Sequence, residues 1–169
     1  MSGLEDGTRA EITLRFLAAP TDAGQSGSVS AGRVLEWIDK AGYAAAARWS
    51  GAYSVTAYVG NVRFTRPVEV GHLVEVRARV VHTGRSSMHI MVETFSGPPS
   101  TGELAAATFC LMVFVSVDAE GRPAPVPAPI EVSAPAISVG EEPAKSRTGL
   151  FAAIAVGVVV LAVAGYFMT

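Results

Sequence analysis

The chain has 169 residues, a formal net charge of -2 and half of its residues hydrophobic. That length allows one ordinary domain plus an appendage, and a charge so close to neutral points away from nucleic acid and other polyanions as partners. The single cysteine, Cys110, lies inside an apolar run; it cannot close an internal disulfide, it fits a buried thiol in a reducing compartment, and no ligand spacing for a metal accompanies it.

Residues 1 to 10 are polar, lack the apolar core of a signal peptide, and are expected to be disordered ahead of a domain that stays in the cytosol. Ile12 to Ala18 alternates loosely and reads as a first strand. The stretch Thr21 to Arg48 is the centre of the chain. Its loop of small residues, Gly24, Ser26, Gly27, Ser28 and Ser30, runs into a helix that starts near Ser28 or Ser30 and stops at Trp49-Ser50-Gly51. Val34, Ile38, Ala41 and Ala45 recur at the spacing of one buried face, and Glu36 with Lys40 forms an i,i+4 pair suited to water. Asp39 belongs to neither set, because its helical neighbours are Gly32, Leu35, Gly42 and Ala46. Such an acid is either a partly exposed member of an ion pair or a carboxylate that loses water to a close-approaching backbone or ligand and does chemistry.

Tyr53 to Val62 is rich in β-branched and aromatic residues and reads as a second strand, ended by Arg66-Pro67. Leu73 to His82 alternates, with Val74, Val76, Ala78 and Val80 on one face and Glu75, Arg77 and Arg79 on the other, and Ser86 to Phe95 is its hairpin partner. Glu103 to Val117 is apolar on both faces, as a central strand covered by the helix and by a second body would be; a subunit interface is one candidate for that second cover. The order is strand, long helix, then four strands, an α+β domain over residues 11 to 121 with its helix on one face of a curved antiparallel sheet of about five strands. One helix cannot cover such a sheet, so an oligomer is expected, at least a two-fold dimer.

From Arg122 to Gly149 the chain is rich in proline and shows no period, which reads as a stiffened linker. Residues 150 to 168, from Leu150 to Met168, carry no charge and reach nearly across a hydrocarbon core of about 30 Å, so they read as a single transmembrane helix. Lys145 and Arg147 on the near side keep the N-terminal domain cytoplasmic.

Several pieces resemble the hotdog-fold acyl-CoA hydrolases of the bacterial YciA and brain acyl-CoA hydrolase type, over residues of about 10 to 125. These are Ala19-Pro20-Thr21-Asp22, then Ser26-Gly27 with Ala31-Gly32 and Asp39, then Val68-x-Val70-Gly71-x-Leu73, then Thr83-Gly84-Arg85-Ser86-Ser87. Phe114 to Asp118 with Gly121-Arg122-Pro123 closes the domain in the same manner. The resemblance implies a hotdog fold, acyl-CoA as substrate, a dimer or trimer of dimers, no metal, and no cofactor beyond the coenzyme A of the substrate.

It also implies that Asp39 is the general base or nucleophile of thioester hydrolysis. Physical reasoning adds that the free N–H groups of Ala31 and Gly32 at the helix start can hold the developing oxyanion. Ser26 stands where the family usually has an asparagine, and Ala31 replaces the first of two glycines. Arg85, Ser86 and Ser87 resemble the segment that contacts the coenzyme A nucleotide; Arg85 is equally readable as an exposed turn residue, and Arg63 and Arg66 are further candidates for phosphate contact. His72, His82 and His89 lie outside the loop where dehydratases of this fold place their histidine, and no Gly-x-Ser-x-Gly elbow exists. The expected activity is that of a membrane-tethered acyl-CoA thioesterase, with a non-catalytic acyl-CoA-binding or scaffold module as the alternative.

Overall fold

The computed structural model describes residues 10 to 127. The expectations for residues 1 to 9, for most of the linker and for the membrane helix at 150 to 168 fall outside the described residues; among those described, no helix is long and apolar enough to cross a membrane.

Five strands form one antiparallel sheet: β1 Glu11–Leu17, β2 Ser54–Phe64, β3 Leu73–Thr83, β4 Ser87–Gly97 and β5 Ala105–Ser116, in the order β1-β3-β4-β5-β2. A single helix, α1 Ala31–Ser50, lies across all five. The α+β hotdog arrangement expected from the sequence is the observed one.

The helix ends where its capping residues say it should. Ser30 accepts a hydrogen bond from the Arg33 N–H through its side chain, and Gly51 ends the helix in the left-handed region at φ 69°, which a residue with a Cβ adopts only at a cost. Between the caps, Val34, Ile38, Ala41 and Ala45 are buried as their spacing predicts, joined by Trp37, which stacks on Phe16 of β1 at 5.2 Å. The core they meet is the inner face of the sheet: Val74, Val76, Ala78 and Val80 of β3, Met88, Ile90 and Val92 of β4, Cys110, Met112 and Phe114 of β5. Cys110 is a buried thiol, pushed up in pKa by that burial. The alternate residues of β5, Phe109, Leu111, Val113 and Val115, stay partly exposed on the outer face.

Two expectations are corrected. Glu75 does not face water: it is 3% exposed on the outer face, where it accepts from the Nε atoms of Arg15 at 2.8 Å and Arg77 at 2.7 Å, with Arg77 also stacked over Phe95. Burial works to raise its pKa, but the two guanidinium hydrogen bonds outweigh it and hold the carboxyl below its ordinary value. Gly42 does admit a close neighbour, a pair of side chains rather than a backbone or ligand, since a Cβ there would come within 2.8 Å of Phe114 and 3.1 Å of Met112. Finally, residues 122 to 127, read as the start of a free linker, are fastened to the sheet. Ala124 N–H donates to Ser116 O at 2.8 Å, Val126 N–H donates to Arg85 O at 2.9 Å, and Val126 packs against the core.

Candidate active site

The loop ahead of α1 is a closed structure rather than a floppy approach. Asp22 accepts from Ala19 N–H at 2.8 Å, its carboxylate pairs with the Arg33 guanidinium at 2.8 Å, and its carbonyl accepts from Ser30 N–H at 2.9 Å. Gly24 N–H donates to Ser28 O at 2.7 Å, and Val29 N–H donates to Val68 O at 2.8 Å, tying the helix start to the segment after β2. Ser26 sits at the exposed tip, where its hydroxyl and that of Ser28 are 2.9 Å apart.

Past the Ser30 cap, the first intrahelical bond is made by Val34 N–H to Ser30 O, and Arg33 N–H is taken by the Ser30 side chain. That leaves the N–H groups of Ala31 and Gly32 for an outside acceptor, as helix geometry requires of the first turn. Both residues are exposed, and a Cβ added at Gly32 would meet nothing within 4 Å. No atom of this chain therefore demands the glycine; the open space over it is free for a ligand.

Asp39 is two turns further along and exposed. It is in no described salt bridge; its Oδ1 accepts a hydrogen bond of 2.7 Å from Thr56 Oγ1 on β2. This partner was not singled out from the sequence, although β2 was expected to follow the helix and a strand residue four places before a bulged glycine gives little local signal. The bond fixes one carboxylate oxygen and leaves the other facing outward. Around the pair lies exposed apolar surface, Tyr43, Tyr53, Val55, Tyr58 and Val59, with Tyr43 and Tyr53 edge to face at 5.9 Å.

Arg85 and Ser86 lie in the turn between β3 and β4, and Ser87 opens β4. Arg85 is exposed, Ser86 O accepts from Ser116 N–H at 2.9 Å, and Ser87 O accepts from Gly84 N–H at 2.9 Å. This turn lies at the same end of the sheet as the C-terminus of α1, because Ser87 is paired with Val115, Ser54 with Ser116, and Ser50 Oγ is 3.4 Å from Ser54 Oγ. The helix start lies at the other end, beside Phe64 and Val68. With strands of 11 residues at about 3.3 Å each, the two ends are some 30 Å apart. One chain thus does not bring Arg85, Ser86 and Ser87 to Ala31 and Gly32, nor does it bring Asp39 to them: seven or eight residues of helix are roughly 10–12 Å.

Beside the helix start is a groove of about 380 Å³ lined by Val29, Ala31, Val34, Phe64, Thr65, Arg66, Pro67 and Val68. Among the described residues, no group of three or more metal-ligating side chains converges.

Residues 26–103 match the thioesterase superfamily. The chain is similar to the acyl-CoA thioester hydrolase YciA of Salmonella typhimurium, 32% identical over 126 residues that cover 73% of this chain and 95% of that one. Among solved structures, an apo-hexameric acyl-CoA thioesterase superposes with a TM-score of 0.69 at 33% identity, covering 72% of this chain and 78% of the other. The acyl-CoA hydrolase of Staphylococcus aureus, in complex with butyryl coenzyme A and coenzyme A, superposes at 0.68 with 26% identity, covering 72% and 74%. Variants of that hydrolase in which an aspartate, a threonine or an asparagine is replaced by alanine are similar to the same extent.

Proposed function

The chain belongs to the thioesterase superfamily, alongside the YciA acyl-CoA thioester hydrolases, and from that membership we propose that it hydrolyses acyl-CoA to a free acid and coenzyme A with Asp39 as its reacting carboxylate. The observation that carries the site is the Asp39–Thr56 hydrogen bond. An exposed carboxylate held at one oxygen by a neutral hydroxyl presents the second oxygen in a fixed direction. Further support comes from the Staphylococcus aureus variants, whose aspartate and threonine stand as far apart in sequence as Asp39 and Thr56 do.

In the reaction, the thioester carbonyl oxygen takes hydrogen bonds from the N–H groups of Ala31 and Gly32, which stabilise the negative charge that grows on it. Asp39 either draws a proton from the attacking water or adds its own oxygen to the carbonyl carbon; the carbon–sulfur bond then breaks and coenzyme A leaves as a thiolate that takes up a proton, and in the second route water afterwards splits the Asp39–acyl anhydride into the free acid and the restored carboxylate. Single turnover in oxygen-18 water tests the direct route, since label in the Asp39 carboxylate requires an anhydride opened by water at the aspartyl carbon. The primary test is free-thiol release from a panel of acyl-CoAs by the full chain and by Asp39→Ala. Abolished turnover in a variant of unchanged oligomeric state is expected, and an unimpaired variant refutes the role of Asp39.

The spacing along α1 makes the working unit a pair of chains. A carbonyl within hydrogen-bond reach of Ala31 and Gly32 is too far from Asp39 of the same helix. A second copy with its helix antiparallel alongside sets its own Asp39 opposite, and brings its Arg85, Ser86 and Ser87 end toward the helix start, where Arg85 meets coenzyme A phosphate. The hexameric state of the similar apo thioesterase supports a trimer of such pairs. The tail completes the proposal: residues 150 to 168 anchor the domain to a membrane through the linker, and fractionation that leaves the full chain in the supernatant refutes the anchor.

One observation favours the second reading, an acyl-CoA-binding module with little turnover. The asparagine replaced in the Staphylococcus aureus variant stands as far ahead of its aspartate as Gly24 is of Asp39, and this chain has neither an amide there nor one at Ser26. Tight acyl-CoA binding without turnover above buffer would establish it.

A further inference from the structure

The groove beside the helix start touches the proposed oxyanion site at Ala31 and is held open from both sides. Val29 N–H donates to Val68 O at 2.8 Å, and Thr65 donates through its N–H at 2.9 Å and its hydroxyl at 3.1 Å to Ala107 O. Its floor is Val29, Val34 and Val68, all buried, and Phe64, 48% exposed, forms a wall. One cation, Arg66, stands on the rim; it is exposed and enters none of the described ion pairs.

A thioester carbonyl held at Ala31 and Gly32 has two substituents, the acyl chain and the pantetheine sulfur, and the groove takes one of them. Pantetheine carries two amides that need hydrogen-bond partners, yet the N–H groups of Val29 and Thr65 are already spent on Val68 and Ala107. Of the lining side chains only those of Thr65 and Arg66 are polar, and the Thr65 hydroxyl is bonded to Ala107 O; the rest are aliphatic or aromatic, which suits hydrocarbon.

Building on the thioesterase reading, we infer that this groove receives the acyl group and that Arg66 at its rim favours acyl groups that end in a carboxylate. A short acyl chain lies over Val34 and Val68, and its far end emerges at the guanidinium, which takes a carboxylate through paired N–H donors. An uncharged chain of the same length gains the apolar contact but not the ion pair.

The test compares glutaryl-CoA with pentanoyl-CoA, matched in carbon number, on the full chain and on Arg66→Gln and Arg66→Lys, by thiol release and by equilibrium binding. Arg66→Gln is expected to lower kcat/KM for glutaryl-CoA by about tenfold, the worth of a charge-assisted hydrogen bond at a rim, and to leave pentanoyl-CoA unchanged, with Arg66→Lys intermediate. An equal loss on both substrates places Arg66 on coenzyme A phosphate and overturns the inference, as does no change on either. If no thioester turns over, the binding titrations decide: glutaryl-CoA affinity that depends on Arg66 keeps the groove assignment while hydrolysis falls, and binding indifferent to Arg66 overturns it.

Discussion

Replacing Thr56 by valine removes one hydroxyl and almost nothing else. The residue is exposed on edge strand β2, valine matches its shape and suits a strand, and the only described side-chain bond lost is the 2.7 Å contact to Asp39 Oδ1. A neutral donor to a carboxylate is worth about 1.5–3 kcal/mol, and exposure reduces that to about 1–2 kcal/mol. At about 1.4 kcal/mol per factor of ten, kcat/KM should fall roughly 5- to 30-fold. The fall should appear in kcat, because the bond aims the reacting oxygen rather than holding substrate. Thiol release under saturating and limiting acyl-CoA measures it, thermal melting confirms that the fold is unchanged, and Thr56→Ser should recover most of the rate. Wild-type kcat in Thr56→Val, with an unchanged melt, would refute the idea that the hydroxyl orients Asp39.

The two glycines of α1 should separate catalysis from packing. Gly32→Ala meets no atom of the chain and should leave the melting temperature equal or slightly higher while lowering turnover, whereas Gly42→Ala collides with Phe114 and should cost about 1–3 kcal/mol in denaturant unfolding. Gly24→Asn should raise kcat above wild type: a Cβ at Gly24 lies 3.4 Å from Ser30, an ordinary contact, and the change supplies the amide that Ser26 cannot reach as far to mimic; a comparison with Ser26→Asn tells which position matters. Glu75→Gln should destabilise the fold by about 1–3 kcal/mol near neutral pH. Because the Glu75 pKa is lowered on folding, its contribution is present above the unfolded value and fades as pH falls through the folded one, so the two proteins should converge in stability in acid, as urea titrations at several pH values will show. His89 has the same sign of linkage to acid in a higher pH range: burial and then the His82 charge depress its pKa, so stability should decline as pH drops below the ordinary histidine value, and His89→Gln should flatten that slope.

What was legible in the sequence was whatever local chemistry decides. Ser30 and Gly51 announce the helix ends, the four small or branched residues of α1 announce its buried face, and Val74 to Val80 announce theirs. Asp39 stands out because it violates that helix pattern, while the role expected of it comes from the family resemblance. Thr56 does not stand out, since nothing within β2 marks it; its role comes from the packing of a strand against a helix 17 residues upstream. Glu75 was assigned to water by alternation, and alternation was right about its face. What the pattern could not carry was that Arg15 on β1 and Arg77 on its own strand close over it. Gly42 and Gly32 look alike in sequence and differ only in whether Phe114 stands opposite. Residues 122 to 127 read as linker because they are rich in proline, yet alternate N–H groups at Ala124 and Val126 suffice to bind such a segment to the end of β5 and the turn between β3 and β4.

The sheet leaves β2 at its margin, with one side bonded to β5 and the other open. Sheet margins are commonly made unadhesive by lysine or proline, but from Ser54 to Asn61 this strand has neither, nor any charge, and Val55, Tyr58 and Val59 stand exposed along it. A newly made chain therefore carries a sticky border until it meets its counterpart, and the hydroxyl that steadies Asp39 is sewn into that border. Dilution should consequently act as an off switch, with specific activity falling as protein concentration drops, while overproduction invites the same border to join strangers.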